Sequence, residues 1–68
     1  MPGAIALKLR VLREERGLTQ KEAAKLAEVS RGTLIDLESG KREPYMPTVT
    51  KMARAYGVTF EELVGEEE

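Results

Sequence analysis

The stretch TQKEAAKLAEVSRGTL, residues 19–34, holds two helix starts eleven residues apart and leaves almost no slack between them. Thr19 is placed to cap a helix beginning at Gln20, and Glu22, three residues on, completes a capping box. Ser30 is the N-cap of a second helix beginning at Arg31. The first of these helices therefore spans residues 20–27. Only the triplet EVS separates it from the second, over 31–39, which Gly40 ends. Helices of eight or nine residues are unstable alone, so packing must hold both. The apolar positions supply that packing. Ala23, Ala24 and Ala27 make a small inner face that admits another helix closely, and Leu34 and Leu37 point inward from the second helix.

The flanking segments supply the helices that these two pack against. Ile5, Leu9 and Leu12 recur on one face of a first helix over 4–16, with Gly17 as its stop. The loop KREPYMP leads to a fourth helix over 47–56, with Pro47 in its first turn and Val49, Met52, Ala53 and Tyr56 as its stripe. Gly57 ends it, and GVTFEELVG predicts a short fifth helix capped by Thr59 with Glu62 at its third position. No segment alternates as a strand does. The expected fold is all-α: five helices around one core, with residues 1–65 as a single domain and 66–68 as an acidic tail. A chain of 68 residues buries only about 60% of the surface its unfolded form exposes.

Composition narrows the chemistry. The chain has no cysteine and no histidine, which removes disulfides, thiolate and imidazole metal ligands and the usual general base. No catalytic constellation is evident, so the chain is not expected to be an enzyme or to need a metal or cofactor. The opening MPGAIALKLRVL is interrupted by Lys8 and Arg10, unlike a signal peptide, and no run approaches the roughly 18 apolar residues of a membrane span. A cytoplasmic protein without membrane contact is the expectation. The net charge of −1 is unevenly spread. Five of the twelve acids fall in residues 61–68, so the first sixty residues carry eleven bases against seven acids, a net of +4. A basic body with an acidic end can present a positive face. Gln20 is the only amide side chain, and it stands at a helix N-terminus, where the macrodipole favours an anion.

Two short helices joined by a three-residue turn have the geometry of a helix-turn-helix. The motifs REERGLTQ, VSRGTL, LESGKREP and ARAYGVTFEEL, in that order over residues 5–64, resemble the phage-repressor and Cro-type (Xre) helix-turn-helix family. The resemblance implies a compact five-helix bundle of the lambda-repressor-like type, with helices two and three forming the motif. It implies sequence-specific binding of double-stranded DNA by a small dimeric regulator, a repressor acting by occlusion. Gln20, with Thr19 beside it, matches the family's phosphate contact. The helix opening at Ser30 matches the recognition helix, with Arg31, Gly32, Ile35 and Asp36 toward the bases and Thr33 near backbone or base. Arg31 suits guanine O6 and N7. Lys41 and Arg42 would meet phosphates, which position a protein without reading sequence. Arg13 and Glu38 match a family ion pair between the first and third helices. Phe60, Leu63 and Val64 are candidates for the dimer surface.

Three positions depart from that pattern. Glu28 stands in the turn where the family often has glycine; either the turn avoids the left-handed region or Glu28 is strained in it. The third helix is chemically thin: Gly32 offers no side chain, Ile35 only an apolar contact, and Asp36 repels phosphates. Leu7 and Val11 lie opposite Leu9 on the first helix, and have two readings: scattered surface residues or a contact with a partner protein or a second copy. The second supports an alternative function, a protein-interaction module or antitoxin-like partner on the same scaffold.

Overall fold

A computed structural model describes residues 4–64, without the side chain of Val64. Five helices follow one another: α1 (Ala4–Glu15), α2 (Gln20–Ala27), α3 (Arg31–Ser39), α4 (Met46–Tyr56) and α5 (Phe60–Val64), with no strand among the described residues. α2 and α3 have the limits their caps predict. α1 closes one residue early, at Glu15, because Arg16 and Gly17 already form the turn. α4 opens one residue early, at Met46, with Tyr45 as an N-cap that makes no side-chain bond. The acidic tail at 66–68 lies outside the described residues.

Reciprocal caps start α2 and α5. Thr19 Oγ1 accepts from Glu22 N at 3.0 Å and Glu22 Oε1 accepts from Thr19 N at 2.8 Å; Thr59 and Glu62 repeat both bonds at the same distances. Each box satisfies two backbone donors that the helix leaves open.

Glu28 occupies the left-handed region, with φ +61°, and is the one non-glycine residue to do so among those described. The C-terminus of α2 dictates this. Val29 N donates to Ala24 O at 3.0 Å, closing the helix by the reversal that glycine usually supplies, as Gly57 does for α4. Of the two sequence readings, strain is the one realised. Left-handed backbone costs a residue with a Cβ about 1–2 kcal/mol, and glycine's extra unfolded-state freedom returns about 0.5–1 of that. Glu28→Gly is therefore expected to stabilise the fold by about 0.5–1 kcal/mol, read as a higher urea midpoint with an unchanged slope.

Leu9 of α1, Leu34 of α3, Val49 and Met52 of α4 and Leu63 of α5 are the largest fully buried side chains. α2 contributes alanines instead, Ala23, Ala24 and Ala27, and fits against α3 and α4. α1 packs on α3, α4 and α5. The place of Leu63 corrects the sequence expectation. At 1% exposure it fills the protomer's own core and offers nothing to a second copy. The reason is that α5, with five residues, has one inner face, and Leu63 is the residue that seats it against α1 and α4. Phe60, 36% exposed, remains at the surface; the side chain of Val64 lies outside the described set.

Tyr56 closes the base of α4. Arg16 lies over its ring, 5.6 Å from the centroid, and donates from Nε to the Tyr56 carbonyl at 3.0 Å, tying the end of α1 to the end of α4. The buried hydroxyl has no hydrogen-bond partner among the described residues. Burial, helped by the Glu38 carboxylate, pushes the phenol up to about 12. Above its unfolded value of about 10, the unfolded chain loses this proton while the folded chain keeps it, so stability falls as pH rises through that window, by about 1.4 kcal/mol per unit. Tyr56→Phe is expected to remove that alkaline loss. It should also leave stability at pH 7 unchanged or up to about 1 kcal/mol higher, because the phenyl ring buries no unpaired hydroxyl. Thermal melts of both proteins from pH 7 to 11 measure this.

Candidate nucleic-acid interface

The site is organised by one carboxylate. Glu38, at the end of α3, is the only charged residue among those described that is buried, at 7% exposure. Its Oε2 accepts from Arg13 Nε of α1 at 2.7 Å, and its Oε1 accepts from Gln20 Nε2 of α2 at 3.3 Å. Arg13 also donates from Nη1 to the Leu18 carbonyl at 2.9 Å. The bond from Glu38 raises the already high pKa of the guanidinium further, against the opposing effect of burial. One anion thus binds three helices at the point where α2 begins.

Gln20 is therefore not a surface amide awaiting a ligand. One of its two amide hydrogens goes to Glu38, which orients the side chain at the N-terminus of α2. The bond to Glu38 had no sequence signal, because eighteen residues separate the partners and only the docking of α2 on α3 joins them. Thr19 spends its oxygen on the cap.

α3 presents a narrow face. Ser30 Oγ accepts from Thr33 N at 3.0 Å and donates to Thr33 Oγ1 at 2.7 Å, so these two hydroxyls set the helix start. Arg31, Gly32 and Ile35 are exposed on the outer side. A Cβ built on Gly32 meets nothing within 4 Å, so no neighbour within the protein requires glycine there. Asp36 is neutralised locally: Arg42 Nη2 lies 3.5 Å from its Oδ2. The loop folds back to make this possible, with Lys41 N and Arg42 N both donating to the Asp36 carbonyl, at 3.0 and 3.3 Å. Lys41 and Arg42 are exposed beside it.

A cleft of about 360 Å³ joins the three helices on this side, lined by Arg10, Arg13, Gln20, Ile35, Glu38 and Ser39. Arg10 is a residue that sequence reasoning missed. A signal existed: it lies three residues before Arg13 and so shares its face of α1. Opposite the buried Leu9 on α1, Leu7 and Val11 are 59% and 39% exposed. No helix among the described residues is long and apolar enough to cross a membrane.

The model of a family described as helix-turn-helix (HTH_3) matches residues 9–63, which include every helix contact of this cleft. This chain belongs to that helix-turn-helix family. It is similar to the cryptic phage CTXphi transcriptional repressor RstR of Vibrio cholerae, 43% identical over 90% of this chain and 55% of the relative. It is similar too to the HTH-type transcriptional regulator DdrOP3 of Deinococcus deserti, 42% identical over 84% of this chain and 44% of the relative. The helix-turn-helix chain thus spans about half the length of these two relatives. Among solved structures, the restriction-modification controller protein C.AhdI from Aeromonas hydrophila superimposes with a TM-score of 0.84 at 30% identity, over 88% of this chain and 91% of that one. The fold expectation, an all-helical bundle of this type, is upheld by these likenesses.

Proposed function

We propose that this domain is a non-enzymatic, sequence-specific binder of double-stranded DNA that regulates transcription in the cytoplasm, as a homodimer with α3 in the major groove. The observation that carries the reading is that Glu38 ties Gln20, at the start of α2, to α3, whose outer residues Arg31, Gly32 and Ile35 are exposed and whose Asp36 holds the exposed Lys41–Arg42 loop. A relative named as a transcriptional repressor and another named as a transcriptional regulator support it. Each part has a distinct task. The second amide hydrogen of Gln20, at the positive end of α2, donates to a backbone phosphate. Lys41 and Arg42 meet further phosphates, and the Arg42–Asp36 pair shields those phosphates from the carboxylate. Arg31 reads guanine, Ile35 touches a thymine methyl, and the open space at Gly32 lets the groove floor come close. A two-fold pair built through Phe60 sets two copies of α3 about 34–36 Å apart.

Salt tests this directly. Affinity for duplex DNA is expected to fall linearly on logarithmic axes, with a slope of about −0.9 per phosphate neutralised. Lys41→Ala should weaken binding on all sequences alike and reduce that slope by about 1, whereas Arg31→Ala should relax preference at one base pair. No binding at low salt would sink the reading.

A further inference from the structure

Arg10 lines the cleft, and neither it nor Glu14, the residue it pairs with, belongs to the core or to the buried network around Glu38. Arg13 is committed: Glu38 and the Leu18 carbonyl hold its guanidinium. Arg10 is held only at the surface, its Nε 3.3 Å from Glu14 Oε2, with both side chains more than half exposed. The same Glu14 oxygen lies 3.9 Å from Arg13 Nη2, so one carboxylate oxygen stands between two guanidinium groups.

The helix itself does not favour this placement. Glu14 lies in the last turn of α1, where the macrodipole penalises negative charge. The order of the pair, base before acid by four residues, is the less favourable one. Exposed pairs of this kind bind weakly and are screened by salt. A phosphate presents more acceptor oxygens to a guanidinium in the fork geometry that arginine matches best.

We infer that Glu14 is an internal stand-in for a DNA phosphate: it holds Arg10 at the cleft in the unbound domain and yields it to a backbone phosphate when DNA docks. The inference rests on the DNA-binding reading and adds α1 to the contacting elements. Arg10, Gln20 and Ile35 line the same cleft, so a strand whose phosphate meets Gln20 comes to the side of the domain that carries the Arg10 guanidinium. Glu14 then acts in two ways. It keeps Arg10 extended toward the cleft, and it competes with the incoming anion, so it tunes affinity downward.

The test is a set of affinities for a short random-sequence duplex across a salt series, with Glu15→Gln as the charge control. Glu15 lies in the same last turn but pairs with Arg16, at 3.8 Å, rather than with the cleft residues Arg10 and Arg13. Arg10→Ala is expected to weaken binding and reduce the salt slope by about 1. Glu14→Gln is expected to tighten binding at low salt by about 3- to 10-fold, clearly more than Glu15→Gln. In the Arg10→Ala background the gain from Glu14→Gln should vanish. Equal gains from the Glu14 and Glu15 variants, or a Glu14 gain that persists without Arg10, would overturn the inference. If Lys41→Ala weakens binding while Arg10→Ala and Glu14→Gln match the wild type, the DNA reading stands and this inference falls. If the wild type binds no duplex at low salt, both fall. Thermal melts accompany each variant and separate lost contacts from lost fold.

Discussion

Arg13→Ala is expected to destabilise the domain by about 3–5 kcal/mol, the cost of leaving a buried carboxylate without its cation. Glu38 has 4% of its side chain exposed and accepts from two donors, Arg13 Nε and Gln20 Nε2. Removing the arginine leaves one neutral amide to hold a charge that water scarcely reaches. A domain of 68 residues has about 3–10 kcal/mol of stability in all, at 0.05–0.15 kcal/mol per residue. The variant should therefore be partly or wholly unfolded at 25 °C in urea titrations followed by helix signal. The double replacement Arg13→Met with Glu38→Leu should recover much of the loss, because it removes both desolvation costs together. Its DNA binding should not recover, since Gln20 then loses the acceptor that orients it. A single-variant loss below about 1 kcal/mol would mean that the pair is solvated and organises nothing.

Leu34→Ala comes next in size, at about 2–5 kcal/mol. Leu34 is fully buried, and it stands in the core with Leu9 and Met52. The helices around it are short and mutually dependent, so the cavity closes only partly. The adjacent Ile35 is 37% exposed, and Ile35→Ala should change stability by less than about 1 kcal/mol. The two variants separate packing from recognition. Leu34→Ala should lower the urea midpoint strongly. Ile35→Ala should leave the midpoint near wild type and alter base preference. Equal midpoints for the two would contradict the packing described for α3.

What could be read in the chain was local. Thr19 with Glu22, Ser30 with Thr33, and Thr59 with Glu62 are contacts across three residues, and a helix either has such a cap or lacks it. The same holds for the glycine stops and for the inner faces of α2, α3 and α4, which follow helical period alone. The turn at Glu28 was half legible. Its spacing required a reversal in very few residues, but propensity opposed a left-handed glutamate. The bond from Val29 N to Ala24 O, together with the packing of α2 on α3 and α4, outweighs that local preference.

The illegible features all depend on how far apart two helices finally stand. Whether Leu63 faced a second copy or its own core turned on the docking of α5 against α1 and α4. Gln20 looked like a lone surface amide until α3 brought Glu38 to within 3.3 Å of it. Arg10 lines one cleft with Gln20 and Ile35 only because α1 and α3 pack together. By itself, then, the amino-acid order determined five helices, the limits of α2 and α3 and those of α1 and α4 to within one residue, since caps and periodicity act within one or two turns. Tertiary packing alone decided which charges meet, because a hydrogen bond needs partners about 3 Å apart, and no spacing along the chain specifies that distance between separate helices.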